Sequence, residues 1–481
     1  MKKPRVDGDR QYWTRRMVLK RAMHLGAMGV ATPLAINLAA IGEAAAFDST
    51  DYKALVCIFL YGGNDYANTV VPYDAANYAL YHQIRAGGPG EDEAGIAIAR
   101  AALAPNALTP LVAQTLTDNL QYALAPQLAG LKSLWDAGRL AVQLNVGPLV
   151  QPTTLAQYLS PNRVANPLPP KLFSHNDQQS IWQSNGSEGS TIGWGGRIGD
   201  LAMSSNGGNS LLTCISAAGN AVFVAGEDAL QYQISPNGAI RVNGITQAPY
   251  GSAALRTALN TLMTRQCTHA FEEEYAIVTR RSIAMEGVVN GALGGVTLST
   301  ATNNLFGTGN GLANQLKIVA RLIGARSALG LRRQVFFVSL GGFDNHNLLM
   351  QDHPRLLQRI NDAMSAFYAA TVELGVADKV TTFTASDFGR TLSSNADGSD
   401  HGWGGHHFVM GGAVNGGRFY GTAPHVSIQT DDQVGQGRLL PTTSIDQFAA
   451  TLARWFGCSA SELPGILPNV GNFSNTALGF V

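Results

Sequence analysis

Short apolar runs bounded by turn residues set the fold class of this chain. Residues 54–60 (ALVCIFL) contain no charged or strongly polar side chain, and after Tyr61 they are followed by a Gly-Gly-Asn-Asp turn ending at Asp65. A strand that is buried on both faces of a parallel sheet has this pattern. Similar runs occur at residues 140–146 (LAVQLNV), 334–340 (QVFFVSL), 380–385 (VTTFTA) and, in shorter form, 407–410. These segments predict the strands of one sheet.

Helical patterns separate the predicted strands. Pro354 occupies a position typical of a first helical turn, and apolar residues then recur at helical spacing up to Gly375. Ser444 and Gln447 form a capping box, and Gly457 marks the end of that helix. Strands that alternate with helices favour an α/β fold in which helices cover both faces of a doubly wound, mostly parallel sheet.

The middle of the chain has a different composition. Residues 187–250 are rich in Gly, Ser and Asn, and residues 253–286 have the pattern of one long helix. We interpret residues 187–330 as an insertion or cap upon the sheet. Residues 47–481 are then a single large domain.

The N-terminus has the pattern of an export signal. Residues 14–20 (TRRMVLK) match the twin-arginine motif, a weakly apolar stretch follows, and Ala44-Ala45-Ala46 is a cleavage site of the A-x-A kind. An uncleaved membrane anchor is the alternative, although Gly26, Gly29 and Pro33 make a poor spanning helix. We therefore expect residues 1–46 to be removed and the protein to be periplasmic or secreted. We expect no transmembrane segment after the signal.

Charge and cysteine content exclude several classes of protein. Lys+Arg and Asp+Glu are equal at 33 each, so the chain has no basic surface for nucleic acid. The 4 cysteines are far apart and form no C-x-x-C pair, which argues against an iron–sulfur cluster, a c-type haem or a cysteine zinc site. A redox enzyme with an organic cofactor would need a fingerprint that the sequence lacks.

Carboxylates follow three of the predicted strands. Asp65, Asp344 and Asp387 each come within a few residues of a strand end. Because the carboxyl ends of parallel strands meet at one edge of a sheet, these acids are expected to converge there. Carboxylates that close repel each other unless a cation lies between them. The alternative for each is a local role, as a cap or turn residue or, for Asp387, as a partner of Arg390.

Histidines accompany these acids in the C-terminal third. His346 lies two residues after Asp344, and Asp400-His401 lies in a Gly-rich loop just before His406 and His407. Neighbours on a strand face opposite sides, so only one of the last two points inward, and His406 is the favoured candidate. Imidazole and carboxylate together suit a divalent metal. Zinc, calcium, magnesium and manganese all remain open.

A nucleophile and an anion-binding group complete the candidate site. Ser174 opens a predicted helix, where backbone N–H groups also favour a phosphate or sulfate oxygen; a simple N-cap is the competing interpretation. Arg390 or His401 is expected to bind the oxyanion. The chain has no G-x-S-x-G elbow, which argues against an α/β-hydrolase.

Several motifs resemble the exported bacterial family called domain of unknown function 1501. They span the chain from the export signal to the C-terminus, at residues 60–65 (LYGGND), 68–73 (NTVVPY), 342–346 (GFDNH), 386–391 (SDFGRT), 400–402 (DHG) and 449–457 (AATLARWFG). That family resembles the alkaline phosphatase and sulfatase superfamily, whose members hold two divalent metals on an α/β sheet.

The resemblance implies roles for individual residues. Asp65, Asp344, His346 and Asp387 would be metal ligands, His401 or His406 the last ligand, and Ser174 would stand where the superfamily nucleophile opens its helix. The superfamily usually has His after its late-strand acid, whereas Phe388 follows Asp387 here. One metal position is then empty, or Asp400-His401 fills it.

Two functions follow from these patterns. The first is an exported, metal-dependent hydrolase of phosphate or sulfate esters, acting on a small molecule or a polymer. The second is a non-catalytic envelope protein with a degenerate or structural metal, which binds glycan or a protein partner. The Phe388 departure favours the second.

Overall fold

The fold was described from a computed structural model of the chain. The structure describes residue 47 and residues 50–91, 95–245 and 247–481. The predicted signal peptide, residues 1–46, lies outside this part of the chain.

Strands and helices alternate along the described chain. The strands are β1 (Lys53–Tyr61), β2 (Val70–Pro72), β3 (Tyr122–Leu124), β4 (Leu140–Gly147), β5 (Cys214–Ser216), β6 (Tyr232–Ser235), β7 (Gly238–Ala239), β8 (Arg333–Gly341), β9 (Val380–Ser386), β10 (Gly405–Gly411), β11 (Phe419–Tyr420) and β12 (Thr443–Ser444). The helices are α1 (Ala75–Ile84), α2 (Arg100–Leu103), α3 (Ala129–Asp136), α4 (Leu155–Leu159), α5 (His175–Ser184), α6 (Trp194–Ala202), α7 (Ala253–Thr264), α8 (Ala270–Gly294), α9 (Thr300–Leu305), α10 (Gly311–Gly324), α11 (Leu349–Glu373), α12 (Ile445–Phe456) and α13 (Leu463–Ile466).

A large, mostly parallel sheet forms the centre of the described chain. Its strand order is β11-β4-β10-β9-β1-β8-β5-β6-β7, and β12 pairs with β4. β1 lies between β9 and β8 and is parallel to both, whereas β10 is antiparallel to both of its neighbours. This arrangement confirms the predicted mixed α/β fold. The five predicted strands appear as β1, β4, β8, β9 and β10.

Helices cover both faces of this sheet. In β1, Val56 and Ile58 belong to one hydrophobic cluster and Cys57 and Phe59 to another, as expected when successive side chains point to opposite faces. The first cluster includes apolar residues of α3, α10 and α11. The second includes those of α5, α6 and α12. β1 is therefore buried on both sides, which explains its continuous apolar sequence.

The segment 187–330 differs from the expected cap. β5 pairs with β8 in the main sheet, and Leu316 and Leu322 of α10 are fully buried in the core. This segment is therefore part of the sheet and its covering layer. The expected single helix over residues 253–286 is two helices, α7 and α8. Pro354 does not open its helix, because α11 begins at Leu349.

None of the helices in the described ranges combines the length and apolar character needed to cross a bilayer.

Candidate functional site

The candidate site lies where β1, β8 and β9 end at one edge of the sheet. Tyr61 of β1 pairs with Gly341 of β8, and Leu60 pairs with Ser386 of β9. The chain after β1 passes very close to the chain after β8, because a Cβ on Gly62 would lie 2.4 Å from the backbone nitrogen of Asp344. Only glycine fits there, at φ 114°. The strand ends are thus held together by backbone contact.

Three side chains meet at the centre of the site. The Nε2 atoms of His346 and His401 lie 2.9 Å apart. Asp344 Oδ1 lies 3.1 Å from the first of these nitrogens and 3.3 Å from the second. Asp344 and His346 come from the loop after β8, and His401 comes from the loop before β10. The predicted acid and histidine pairs therefore do come together.

A fourth side chain, His175 at the start of α5, joins from the other side. Its Nε2 atom lies 3.5 Å from Asp344 Oδ2, and ligand atoms of His175, Asp344 and His401 all lie within 4.8 Å of one another. Sequence reasoning did not single out His175, although it singled out the neighbouring Ser174. The available signal was its position at the start of a predicted helix, next to a candidate nucleophile.

Each of the three histidines presents its Nδ1 atom to an oxygen acceptor. His175 Nδ1 lies 2.6 Å from Asp387 Oδ2, His346 Nδ1 lies 3.2 Å from Asp400 Oδ1, and His401 Nδ1 lies 2.8 Å from the carbonyl oxygen of Phe173. This pattern assigns the ring proton to Nδ1 in each case. The Nε2 lone pairs are then directed towards Asp344. Metal-binding histidines are oriented by contacts of this kind.

The electrostatics of the site follow from these contacts. The hydrogen bond to Asp387 raises the pKa of His175. Burial lowers the pKa of His401, which favours its neutral, metal-binding form. Burial alone would raise the pKa of Asp344, but the hydrogen bond and charge of Arg390 hold that pKa below its usual value. The site thus has an ionised carboxylate facing imidazole nitrogens.

The residues present fit a divalent metal ion. Neighbouring ligands of a tetrahedral zinc ion lie about 3.3 Å apart when the metal–nitrogen distance is about 2.0–2.1 Å. The three atoms of Asp344, His346 and His401 lie 2.9–3.3 Å apart. His175 Nε2 is buried and has no hydrogen-bond partner, as expected for a side chain whose partner is a cation. Nitrogen ligands favour zinc or a similar transition metal over calcium and magnesium.

Asp387 has a supporting position, with its carboxylate fully buried. Besides His175, its Oδ2 atom accepts hydrogen bonds from Gly62 N at 3.1 Å and from Gln179 Nε2 at 2.8 Å. Asp400 likewise contacts His346 and accepts a hydrogen bond from Asn395. Both acids were expected to be ligands, but in the structure each orients a histidine.

Arg390 lies beneath Asp344 and is fully buried. Its guanidinium donates to Asp344 Oδ1 at 2.9 Å, to the carbonyl oxygen of Gly62 at 2.9 Å and to that of Ser399. All three guanidinium nitrogens therefore donate within the protein. Arg390 is positioned to hold Asp344 and the three loops together, and this arrangement does not support the oxyanion-binding role expected for it.

Asp65 does not join the cluster. The turn at Gly62 and Gly63 carries the chain inward, and Asp65 forms a fully buried ion pair with Arg85. Its other oxygen accepts from Ala67 N at 3.2 Å, so the side chain caps a short 3-10 turn. The expected convergence of three strand-end carboxylates is therefore limited to Asp344 and Asp387.

His406 also lies away from the site. A bulge in β10 falls between Gly405 and His407, and His406 packs on Tyr66 with ring centroids 4.9 Å apart. Its Nδ1 atom accepts a hydrogen bond from the amide of Asn145 at 3.1 Å. His407 lies on the other face of the sheet against Trp182. Both histidines are buried core residues.

Ser174 and Phe388 border the cluster. The Ser174 hydroxyl donates to Asp177 Oδ2 at 2.9 Å and makes no capping hydrogen bond to the helix backbone. Phe388 is buried, with ring centroids 4.8 Å from His175 and 4.7 Å from His401. Phe388 therefore provides an aromatic surface under two histidines of the cluster.

The fold and the cluster define a mixed α/β protein with a candidate metal centre at the carboxyl edge of its sheet. The chain belongs to the family described as protein of unknown function (DUF1501), whose model matches residues 52–463.

Comparison with solved structures gives low similarity. The structure of Ps i-CgsB in complex with k-i-k-neocarrahexaose aligns with a TM-score of 0.34 at 8% identity, over 89% of this chain and 78% of that chain. The structure of Ps i-CgsB alone aligns with a TM-score of 0.33 at the same identity and coverage. Similarity at this level does not define a shared fold. No curated protein matches the chain.

Proposed function

We propose that this protein is a metal-dependent hydrolase of phosphate or sulfate esters. The observation that carries the proposal is that the Nε2 atoms of His175, His346 and His401 all lie within 3.5 Å of a carboxylate oxygen of Asp344. A site that brings a carboxylate and imidazole nitrogens this close together suits a divalent cation. Asp344, His346 and His401 would hold the metal, and His175 is close enough to complete the set.

Solvent access favours a catalytic over a structural site. The Asp344 side chain is 46% exposed, and those of His346 and His401 are 44% and 27% exposed. Structural zinc sites are closed by protein ligands, whereas catalytic sites keep one side open. A bound divalent cation in such a site supplies Lewis-acid polarisation of an ester oxygen and lowers the pKa of water. Asp387 and Asp400 would keep the imidazoles oriented.

The start of α5 favours an anionic substrate group. His175 is the first residue of this helix, and Ser174, its N-cap, makes no capping hydrogen bond. Backbone N–H groups and the dipole at a helix start attract a phosphate or sulfate oxygen, and in α5 this attraction is offset in part by the carboxylate of Asp177 in the first turn. The nucleophile would then be either the Ser174 hydroxyl or a water molecule. Its present bond to Asp177 favours water.

The wider assignment rests on the resemblance seen in the sequence. A relation to the alkaline phosphatase and sulfatase superfamily, and export by the twin-arginine route to the periplasm or beyond, both accord with a metal enzyme that folds before transport. The site differs from the superfamily pattern at Asp65 and Phe388. We therefore propose one metal held mainly by nitrogen ligands.

Metal content and turnover test the proposal together. Purified protein is expected to contain bound zinc or a similar metal and to hydrolyse 4-nitrophenyl phosphate or 4-nitrophenyl sulfate. Asp344→Asn and His346→Ala should remove both properties. His425→Ala is the matched control, because His425 Nδ1 also lies 2.6 Å from an aspartate, Asp118, outside the cluster. If the two site variants keep full metal content and turnover, the proposal is wrong.

The rival function is a non-catalytic envelope protein with a structural metal. The observation in its favour is that Arg390 and Ser174, the expected oxyanion donor and nucleophile, are both engaged in internal hydrogen bonds. Metal that is bound stoichiometrically and raises the melting temperature, without turnover of either ester, would establish this alternative.

A further inference from the structure

An open cavity of about 550 Å³ lies outside the candidate site and shares no residue with it. It lies in the segment between β4 and α5. Its lining combines apolar side chains with one cation and one phenol, and includes Tyr158, Leu159, Arg163, Leu168 and Leu172. A cavity of this size fits a small-molecule ligand or one unit of a polymer.

The wall of the cavity is ordered by internal contacts. The Arg163 guanidinium donates to the carbonyl oxygens of Gln157 at 3.4 Å and Tyr158 at 2.9 Å, at the end of α4. The Tyr158 ring lies 5.9 Å from that of Trp403, which is fully buried. Arg163 is exposed at the cavity, and the two hydrogen bonds of its guanidinium go to neutral carbonyl groups.

The cavity and the metal cluster share one short stretch of chain. Leu172 lines the cavity, the carbonyl oxygen of Phe173 orients His401, and His175 belongs to the cluster. Three residues of extended chain span at most about 11 Å. Lys171 and Phe173 have positive φ angles of 43° and 70°, so this link is bent and fixed. A substrate would have to extend over about this distance to contact both places.

We propose that this cavity binds a sugar ring that carries its own anionic substituent, as part of an ester substrate. Leucine and proline side chains offer flat apolar surfaces to the C–H face of a ring, and Tyr158 adds an aromatic surface. Arg163 is suited to a sulfate or phosphate group, because its planar guanidinium can donate two parallel hydrogen bonds. For the reaction itself this inference rests on the proposed function, and it specifies the substrate as a polyanionic carbohydrate.

Binding in a metal-site variant separates this cavity from the cluster. In Asp344→Asn protein, glucose 6-sulfate is expected to bind more tightly than glucose, measured by saturation-transfer NMR. Adding Arg163→Ala should weaken binding of the sulfated sugar by about tenfold or more, as expected for the loss of a charge-assisted hydrogen bond. Arg241→Ala is the control, because Arg241 is an exposed arginine paired with Glu286.

Filling the cavity gives a second, independent variant. Leu159 is exposed by 68%, so Leu159→Trp adds volume without removing a core side chain, and it should also abolish binding. Equal binding of glucose and glucose 6-sulfate, or no binding of the sulfated sugar, overturns the inference. So does full binding in the Arg163→Ala protein. Binding of the sulfated sugar by a protein without esterase turnover would uphold the cavity and refute the proposed function.

Discussion

His346 and His401 face each other through their Nε2 atoms at 2.9 Å, and Asp344 Oδ1 lies 3.1 Å from the first of these nitrogens and 3.3 Å from the second. Asp400 and the Phe173 carbonyl oxygen accept the Nδ1 protons of the two rings. With both ring protons on Nδ1, the two Nε2 lone pairs would repel each other at this distance, and the adjacent carboxylate of Asp344 would add to the repulsion. A bound cation would convert this repulsion into coordination. In the proposed metal site, this contact would form one edge of the ligand set.

The contact between Asp400 and His346 predicts a measurable loss of metal affinity. Asp400→Asn removes the charge that orients His346, so zinc affinity should fall about 10–100-fold, as is typical for groups that support a ligand. Competition with a chromogenic chelator measures this change. Asp118→Asn is the control, because Asp118 makes the same kind of contact with His425 at 2.6 Å. Equal affinities in the two variants would show that Asp400 does not support a ligand.

The buried ion pair of Asp65 and Arg85 predicts a stability effect without a metal effect. Both side chains are fully buried, so Asp65→Asn leaves a buried arginine without its counter-charge. The free energy of unfolding should fall by about 3–5 kcal/mol, measured by urea denaturation. Metal content of the folded variant should be unchanged. A loss of metal at full stability would instead make Asp65 a ligand.

The double variant Asp65→Leu/Arg85→Met tests the same pair from the other direction. It removes both charges together and should recover much of the stability lost in the single variant. If it is less stable than Asp65→Asn, the ion pair is not the origin of the effect.

The longer strands could be predicted because strands buried in the sheet have continuous apolar sequences. Residues 54–60 are continuously apolar since both faces of β1 are covered, and this pattern placed the strand to within one residue at each end. The same rule brought Asp344 and Asp387 to one sheet edge. Short strands such as β2 were missed, because three residues carry too little pattern.

The positions of the other site residues could not be predicted, because they depend on contacts between residues that are far apart in the sequence. Asp65 was expected beside Asp344, but the turn at Gly62 and Gly63 carries it away. Its carboxylate instead forms an ion pair with Arg85, at the end of α1. His175 arrives from a helix, so the strand-end rule could not find it. His406 was assigned by strand alternation, and the two neighbouring histidines do face opposite sides of β10, but both sides are covered by core residues.

Acid should destabilise the protein through its buried histidines. Burial lowers the pKa of His406 and His407 to about 3 and that of His353 to about 4. In the unfolded chain these rings gain a proton near pH 6.5, whereas in the folded protein they stay neutral until pH 3–4. The unfolded state thus binds more protons in this window, so stability is fully present above pH 6.5 and falls as the pH is lowered.

The expected slope is about 1.4 kcal/mol per pH unit for each of these histidines between pH 6 and 4. His407→Phe keeps aromatic contact with Trp182 and Phe448 but removes one titrating group, so it should reduce the slope of stability against pH. His269→Phe, at an exposed position, is the control. Identical slopes in His407→Phe and wild type would contradict the assignment.

A substitution at Gly402 tests how strongly the proposed metal site depends on close backbone packing. Residues around His401 run antiparallel to those around Arg390, with Thr391 N donating to the carbonyl oxygen of Asp400 at 2.9 Å and Gly389 N to that of Trp403 at 3.1 Å. A Cβ on Gly402 would lie 2.2 Å from the carbonyl oxygen of Gly389, so alanine must push the two segments apart. His401 would then move relative to Asp344.

Gly402→Ala should therefore lower stability by about 1–3 kcal/mol, the usual range for overpacking, and weaken metal binding in the same protein. Thermal melting with and without zinc measures both effects, and the stabilisation that zinc adds should shrink. Gly471→Ala is the matched control, because a Cβ there meets no atom within 4 Å. Were Gly402→Ala to lose stability but keep the full zinc-dependent rise in melting temperature, the metal ligands would not depend on this contact. His346 and His401 are the two proposed ligands whose Nε2 atoms lie near 3 Å from Asp344 Oδ1. A shift of His401 should therefore lower stability and weaken zinc binding together.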